Sequence, residues 1–308
     1  MWRQGRVMAA QDKPSLRGEM RFNEPLARYT TWRVGGPARQ FYRPADSADL
    51  LQFLATLPAG EPLLWLGLGS NLLVRDGGFS GTVIATQGRL DGMELISATE
   101  LRVEAGVSCA QVARFAARQG LCGVEFLTGI PGTFGGALAM NAGAFGGETW
   151  THVTAVETVD RTGKLHKRLP TEFKVGYRQV ERPAEEWFLA ATLRLEAGDV
   201  SESQRQIRAL LERRNSSQPI GQPSCGSVFR NPPGDHAARL IEAAGLKGTV
   251  IGGAQVSEKH ANFIINRGDA TAMDIEAMIQ QVRKQVQAAS GVELITEVHI
   301  VGEAEERL

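Results

Sequence analysis

Residues 127–147 read LTGIPGTFGGALAMNAGAFGG, with seven glycines and a single bulky side chain, Phe134, between Pro131 and Gly136. That composition suits neither a strand nor a helix interior, since each glycine costs about 0.5–1 kcal/mol of backbone entropy. A chain carries so many where something large and flat, or large and charged, must lie against its main chain. Bare N–H groups in such turns form a concave nest for anions, with phosphate the usual guest. A tight hinge without a ligand is the competing reading. Some 60 residues earlier, Gly67-Leu68-Gly69-Ser70-Asn71 sits between two short apolar runs. It does not open a helix, so it is not the Rossmann fingerprint. A strand–glycine–strand turn still offers N–H groups to a pyrophosphate, and two such elements suit the two ends of a dinucleotide. A plain turn is the alternative for this one alone.

Composition narrows the partners. The 308 residues suggest two domains. The balance of 34 basic against 34 acidic residues argues against nucleic acid as the main partner. Cys109, Cys122 and Cys225 form no CxxC pattern or Cys/His cluster, so no metal site is expected, and a reduced, cytoplasmic setting fits. No apolar run is long enough to span a membrane. Residues 1–20 are polar and mixed, unlike a secretory signal, and are expected to form a poorly ordered arm.

The periodicity gives an α+β chain rather than a regular βαβ series. Short strands are expected at 39–43, 63–66, 72–74, 82–85, 93–96 and 101–105. Helices are expected at 46–57, with Asp46 as N-cap, and at 109–119. A hairpin, 153–160 and 164–168, turns at Arg161-Thr162-Gly163, and 187–195 is another strand. Composition shifts near 197–199, placing one domain at 21–198 and a second at 199–308. Ser201 and Gln204 look like a capping box for a helix ending at Arg213-Arg214. A loop over 215–235 is long enough to be functional. Helices 237–244 and 271–288 and strands 262–266 and 294–301 complete the chain.

Three polar residues stand out. Ser227, in Ser224-Cys225-Gly226-Ser227-Val228-Phe229-Arg230-Asn231, matches no nucleophile elbow and lacks an evident base. Its hydroxyl can instead act as a general acid toward a strongly basic carbon, the kind that hydride donation by a reduced flavin creates. Arg178, after Gly176-Tyr177, has the fork that clamps a carboxylate. Glu297, inside LITEVHIV, is the polar exception if Ile295, Val298 and Ile300 are buried, and a carboxyl so placed has a raised pKa. The bland readings are a turn serine, a surface ion pair and a solvent-facing strand position. Residues 30–36, TTWRVGG, either cover a flat cofactor or pack the N-terminal segment onto a domain.

Together these stretches resemble the UDP-N-acetylenolpyruvoylglucosamine reductase family. The resemblance runs from about Asn23 to the end, through YTTWRVGGPA, LGLGSNLLV, GIPGTFGGALAMNAGAFG, GYR, GSVFRNP, GGAQVSEKHANFIIN and ITEVHIVG. It is similar to the shorter form, without an extra tyrosine-bearing loop. The resemblance implies an FAD-binding fold of the vanillyl-alcohol-oxidase (PCMH) type, then a smaller α/β substrate-binding domain whose last strand contributes to the active site. It implies non-covalent FAD, NADPH as hydride donor, and reduction of UDP-N-acetylglucosamine enolpyruvate to UDP-N-acetylmuramate in peptidoglycan synthesis. Hydride would pass from flavin N5 to the enolpyruvyl group. By motif, Ser227 would protonate the adjacent carbon, while Arg178 and Glu297 would stabilise the developing charge. Gly67, Gly69, Ser70, Asn71 and Leu72 would lie along the FAD pyrophosphate, and Gly132, Thr133, Gly135, Gly136, Ala137 and Asn141 along the flavin. Tyr177, Arg230 and Asn231 would hold the substrate. No obligate protein partner is implied. One departure is Ser217, where many family members carry a lysine before Gln-Pro; Arg213, Arg214 and Arg230 are the candidate replacements. A flavin-dependent oxidase on the same fold is the alternative reading.

Overall fold

The structure, a computed structural model, describes residues 15–305. Of the arm expected over 1–20, residues 1–14 lie outside the described residues. Beyond them the Arg17 N–H donates to Asp49 Oδ1 at 2.7 Å, and a strand unmarked by clear alternation, Glu19–Pro25, begins the first sheet.

That sheet has the order Glu19–Pro25, Pro37–Arg43, Phe79–Ala85, Leu63–Leu66; the first pairing is antiparallel and the others parallel. A second, antiparallel sheet runs Leu165–Arg168, Val153–Asp160, Glu186–Arg194, Glu100–Glu104, Met93–Leu95. Between them lies the helix Ser47–Thr56, started by Asp46, whose carboxylate accepts from the Asp49 N–H. Leu50, Phe53 and Leu54 from that helix share a core with Tyr42 and Ile84 of the first sheet and Val159 and Leu189 of the second.

The C-terminal unit is a three-stranded sheet, Val250–Ile251, Ala254–Val256 and Ile264–Asn266, packed on the helix Ala272–Ser290. Thr271 and Asp274 cap that helix reciprocally, and Gly291 ends it at φ 74°. Its buried face is Ile275, Met278, Ile279, Val282 and Val286, as the spacing predicts. Trp32 is fully buried in this same core, and its indole N–H donates to the Ile264 carbonyl at 2.7 Å. Within residues 30–36, Trp32 thus packs the N-terminal segment onto the C-terminal unit.

Three expectations change. Within the glycine-rich stretch, Phe134–Met140 is a helix, because buried Phe134, Ala137 and Leu138 outweigh the poor intrinsic propensity of its glycines. The expected strand at the chain end shrinks to His299–Val301. Upstream of it, the Glu297 N–H (2.8 Å) and the Val298 N–H (3.5 Å) converge on the Val228 carbonyl, which breaks the ladder. The expected capping box at Ser201 is replaced by Asp199, which accepts from the Glu202 N–H and starts a helix running to Ser217. That helix packs through Ile207 into the core of the second sheet, and Ser203 donates to Glu125.

Candidate active site

The two glycine-rich segments meet. A Cβ on Gly67 would stand 2.3 Å from Thr133 Oγ1, and one on Gly132 would stand 3.2 Å from Ser70 Oγ. Gly69 holds φ +62°, and a Cβ there would collide with the Tyr29 carbonyl oxygen at 2.1 Å. Most glycines of 127–147 are explained by close packing instead. Gly129 is pressed by Phe145, Gly135 by Ala105 and Gly147 by Phe126. Gly132 and Gly136 differ: apart from Ser70 Oγ and Thr133 Oγ1 (3.8 Å from a Cβ on Gly136), a Cβ on either meets only open space. Both border a cleft of about 540 Å³. The backbone here is bare toward the cleft for a reason internal packing does not supply.

Gly67, Gly69, Ser70, Asn71 and Leu72 line one wall of this cleft, and Gly132, Thr133, Gly136 and Ala137 line another. Gly135 and Asn141 do not border it. Asn141 is buried at φ 42°, donates to Glu148 Oε2 (3.0 Å) and the Gly176 carbonyl (3.3 Å), and accepts from the Trp150 N–H (3.1 Å).

The remaining predicted residues arrive from three distant segments. Tyr177 and Arg178 form the tip of a hairpin between Lys174–Gly176 and Gln179–Glu181. Arg178 sits at φ 55°, costly for a residue with a side chain, and is held there by hydrogen bonds to the carbonyls of Gly143 (2.7 Å) and Asn141 (3.4 Å). Its Nε lies 3.4 Å from Glu297 Oε1, and both side chains are less than one-fifth exposed. Burial pushes the Glu297 carboxyl pKa up, against the pull of the Arg178 and Arg230 charges. The sequence argument for this carboxyl holds only in part: Val298 is buried, but Ile295 is 62% exposed.

Ser227 follows Gly226 (φ 72°) and borders the cleft, and its hydroxyl has no protein partner among the described residues. Asn231 also borders the cleft while accepting from the Ala237 N–H at 3.1 Å. Arg230 lies behind the wall; its buried Nε has no hydrogen-bond partner among the described residues.

Two residues escaped the sequence reading. Asn262 pairs with the Phe229 backbone through both amide atoms (3.0 and 2.8 Å) and its carbonyl accepts from the Val228 N–H (2.9 Å), fixing the serine loop. A buried asparagine opening an apolar strand was the available signal. His299 borders the cleft with Nε2 3.1 Å from Met140 Sδ, and burial beside Arg230 and Arg182 pushes its pKa down. Cys225 borders it too, and burial raises its thiol pKa, so it remains a protonated wall residue.

Two glycine-bearing walls with an acidic, a basic and a hydroxyl group bordering the same cleft make up the candidate site. The FAD binding domain model matches residues 38–168, and the model of the UDP-N-acetylenolpyruvoylglucosamine reductase C-terminal domain matches 218–301. The UDP-N-acetylenolpyruvoylglucosamine reductase of Alkalilimnicola ehrlichii is 63% identical over 298 residues, covering 97% of this chain and 100% of the relative. That of Nitrosococcus oceani is 61% identical, covering 94% and 97%. The crystal structure of the Thermus caldophilus reductase matches with a TM-score of 0.79 at 36% identity, over 92% of this chain and 98% of that one. A 6-hydroxy-D-nicotine oxidase from Arthrobacter nicotinovorans matches at 0.55 and 12% identity, over 93% and 90%, a likeness of fold alone. The class is thus the FAD-dependent oxidoreductases. Within it, the chain belongs to the UDP-N-acetylenolpyruvoylglucosamine reductase family.

Proposed function

We propose that the cleft reduces UDP-N-acetylglucosamine enolpyruvate with NADPH through FAD, and that Ser227, Arg178 and Glu297 are its catalytic residues. The observation that supports this best is that those three side chains border the same cleft as Gly132 and Gly136, whose backbone faces open space. The chemistry FAD supplies when bound is hydride transfer, taken from NADPH and delivered to the terminal enolpyruvyl carbon. Gly67, Gly69, Ser70, Asn71 and Leu72 hold it on one wall and Gly132, Thr133, Gly136 and Ala137 on the other.

Hydride addition leaves an electron pair on the carbon that bears the substrate carboxylate. Ser227, whose hydroxyl is uncommitted, gives that carbon its proton, completing a two-electron, two-hydrogen reduction of the double bond. The Arg178 guanidinium, already fixed by two backbone carbonyls, pairs with the carboxylate as charge builds on it. Glu297, with its raised pKa, offers an O–H to the same oxygens when protonated. A positioned acid contributes about 10²–10⁴-fold, and preorganised charge at a developing anion often more. Tyr177 and Asn231, at the cleft border, contact the rest of the substrate, and Arg230 adds positive potential from behind.

Among the described residues no helix is long and apolar enough to cross a membrane. A cytoplasmic enzyme of cell-wall synthesis, with consequences for cell shape and division, is the setting this reading carries. The test is direct. The purified protein should be yellow, and turnover of NADPH beyond the single equivalent that reduces the bound FAD should require the enolpyruvyl nucleotide sugar. Colourless protein, or oxidation that proceeds equally well without the sugar, contradicts the reading.

A further inference from the structure

His299 borders the cleft, and no step of the proposed reaction uses it. Of the chain's five histidines, all of them described, it alone does so. It stands two residues beyond Glu297, which borders the same cleft. Its backbone is fixed: the His299 N–H donates to the Asn71 carbonyl at 3.2 Å, and His299–Val301 pairs with Leu72–Val74. The one polar contact of the ring among the described residues is with a thioether, Met140 Sδ, 3.1 Å from Nε2. A thioether is a weak acceptor and does little to hold a second proton on the ring. His166 shows the contrasting case, with its Nε2 2.7 Å from Asp160 Oδ2 and away from the cleft.

The charges about His299 are mostly positive. Arg230 comes from the serine loop and Arg182 from the chain just after the strand Gln179–Glu181. Burial, then these two guanidinium groups, push the imidazole pKa down. Arg178 borders the same cleft, and its partner Glu297 is the one carboxylate among the residues lining it. Met140, Asn71 and the strand Leu72–Val74 bring no charge. These surroundings hold the imidazole neutral. An anion entering the cleft reverses the balance, because a nearby negative charge favours the protonated ring. Histidine is the side chain that such a change carries across neutral pH.

We propose that His299 is a proton-uptake site of substrate binding: when the substrate carboxylate enters the cleft, the imidazole takes one proton from solvent and becomes a cation beside it. The inference rests on the reading of the cleft as the site of the enolpyruvyl nucleotide sugar. No covalent bond to the substrate forms or breaks in this step and no electrons are transferred; solvent loses the proton that His299 gains. Linkage gives the sign. A proton taken up on binding makes affinity fall as pH rises through the imidazole range.

The test uses the full-length protein with oxidised FAD, which binds UDP-N-acetylglucosamine enolpyruvate without turnover when NADPH is withheld. Titration calorimetry in two buffers of different ionisation enthalpy counts the protons. At about pH 7.5 the expected uptake is about half a proton per sugar nucleotide, with affinity falling about threefold per pH unit. His299→Gln should bind more weakly, take up no proton and lose the pH slope. His299→Arg, permanently charged, should also take up none, yet bind within about threefold of the unmodified protein. His166→Gln, the control, should match the unmodified protein. UDP-N-acetylglucosamine, which lacks the carboxylate, should bring no uptake. If His299→Gln fails to hold FAD, His299→Arg carries the same test. Undiminished uptake in either His299 variant would pass the proton to Glu297, the other acceptor in the cleft, and overturn the proposal. No uptake by the unmodified protein, or equal uptake with UDP-N-acetylglucosamine, would overturn it too. Absence of any binding by the unmodified protein would instead sink the reading of the cleft.

Discussion

Glu297 is subject to opposing influences. Burial drives its carboxyl pKa up, and the guanidinium groups of Arg178 and Arg230 hold it down, with the net direction upward. The folded protein therefore keeps this proton more tightly than the unfolded chain does. The stability that proton confers is present at low pH and is lost as pH rises through the folded pKa. Glu297→Gln removes that dependence. Denaturant unfolding of variant and parent should show their difference moving in the variant's favour as pH rises above the ordinary carboxyl value of 4.5. A difference that stays flat across that range contradicts the assignment. Arg178 shows how a side chain is made ready for such a site. Its left-handed backbone is held by carbonyls of the segment that Asn141 organises from within. Asn141 thus supports the position of Arg178 from a place away from the cleft.

At the scale of an element, the helix Phe134–Met140 contains two adjacent glycines with opposite reasons for being there. Gly135 is pressed against Ala105, where a Cβ would stand 2.7 Å from the neighbouring Cβ. Gly136 has only Thr133 Oγ1 nearby, at 3.8 Å, and borders the cleft. Alanine exceeds glycine in helix propensity by about 1 kcal/mol. Gly136→Ala should therefore leave the melting temperature of FAD-free protein unchanged or higher and weaken FAD retention. Gly135→Ala should lower the melting temperature outright. Equal behaviour of the two variants would contradict the division. This pair also shows what the sequence made legible. The glycine excess announced a backbone approached closely, and GLGSN announced a second such place. Which glycines answer to a neighbouring element and which face the cleft depends on the packing of Ala105, Phe126 and Phe145, residues that no local pattern brings together. The helix itself was hidden because burial of Phe134 and Leu138, a tertiary effect, decides it. The regular helices, such as Ala272–Ser290, were legible because caps and apolar spacing agree there. The terminal strand was overextended because the alternation of LITEVHIV does not reveal two N–H groups competing for one carbonyl.

Across the whole molecule, segments far apart in sequence are tied together around the cleft. Trp32 is buried in the C-terminal core and bonded to Ile264, and the Asn266 side chain donates back to the Trp32 carbonyl at 2.9 Å. His299–Val301 pairs in parallel with Leu72–Val74, which sets Glu297 beside the GLGSN loop, and Asn71 donates to the Glu297 carbonyl at 3.1 Å. Trp32→Ala should cost about 3–5 kcal/mol in urea unfolding, the usual range for a buried tryptophan. A loss below 1 kcal/mol would mean that residue 32 does not anchor the C-terminal unit. In the proposed function the same architecture separates the work of the site: the glycine walls would hold the cofactor, and Ser227, Arg178 and Glu297 would act on the substrate. An anaerobic experiment with Ser227→Ala tests this most directly. FAD should still be bleached by NADPH at a near-normal rate, and the return of yellow colour on adding UDP-N-acetylglucosamine enolpyruvate should slow by about 10²-fold or more. Return of the colour at the unmodified rate would contradict the assignment of Ser227 as the proton donor.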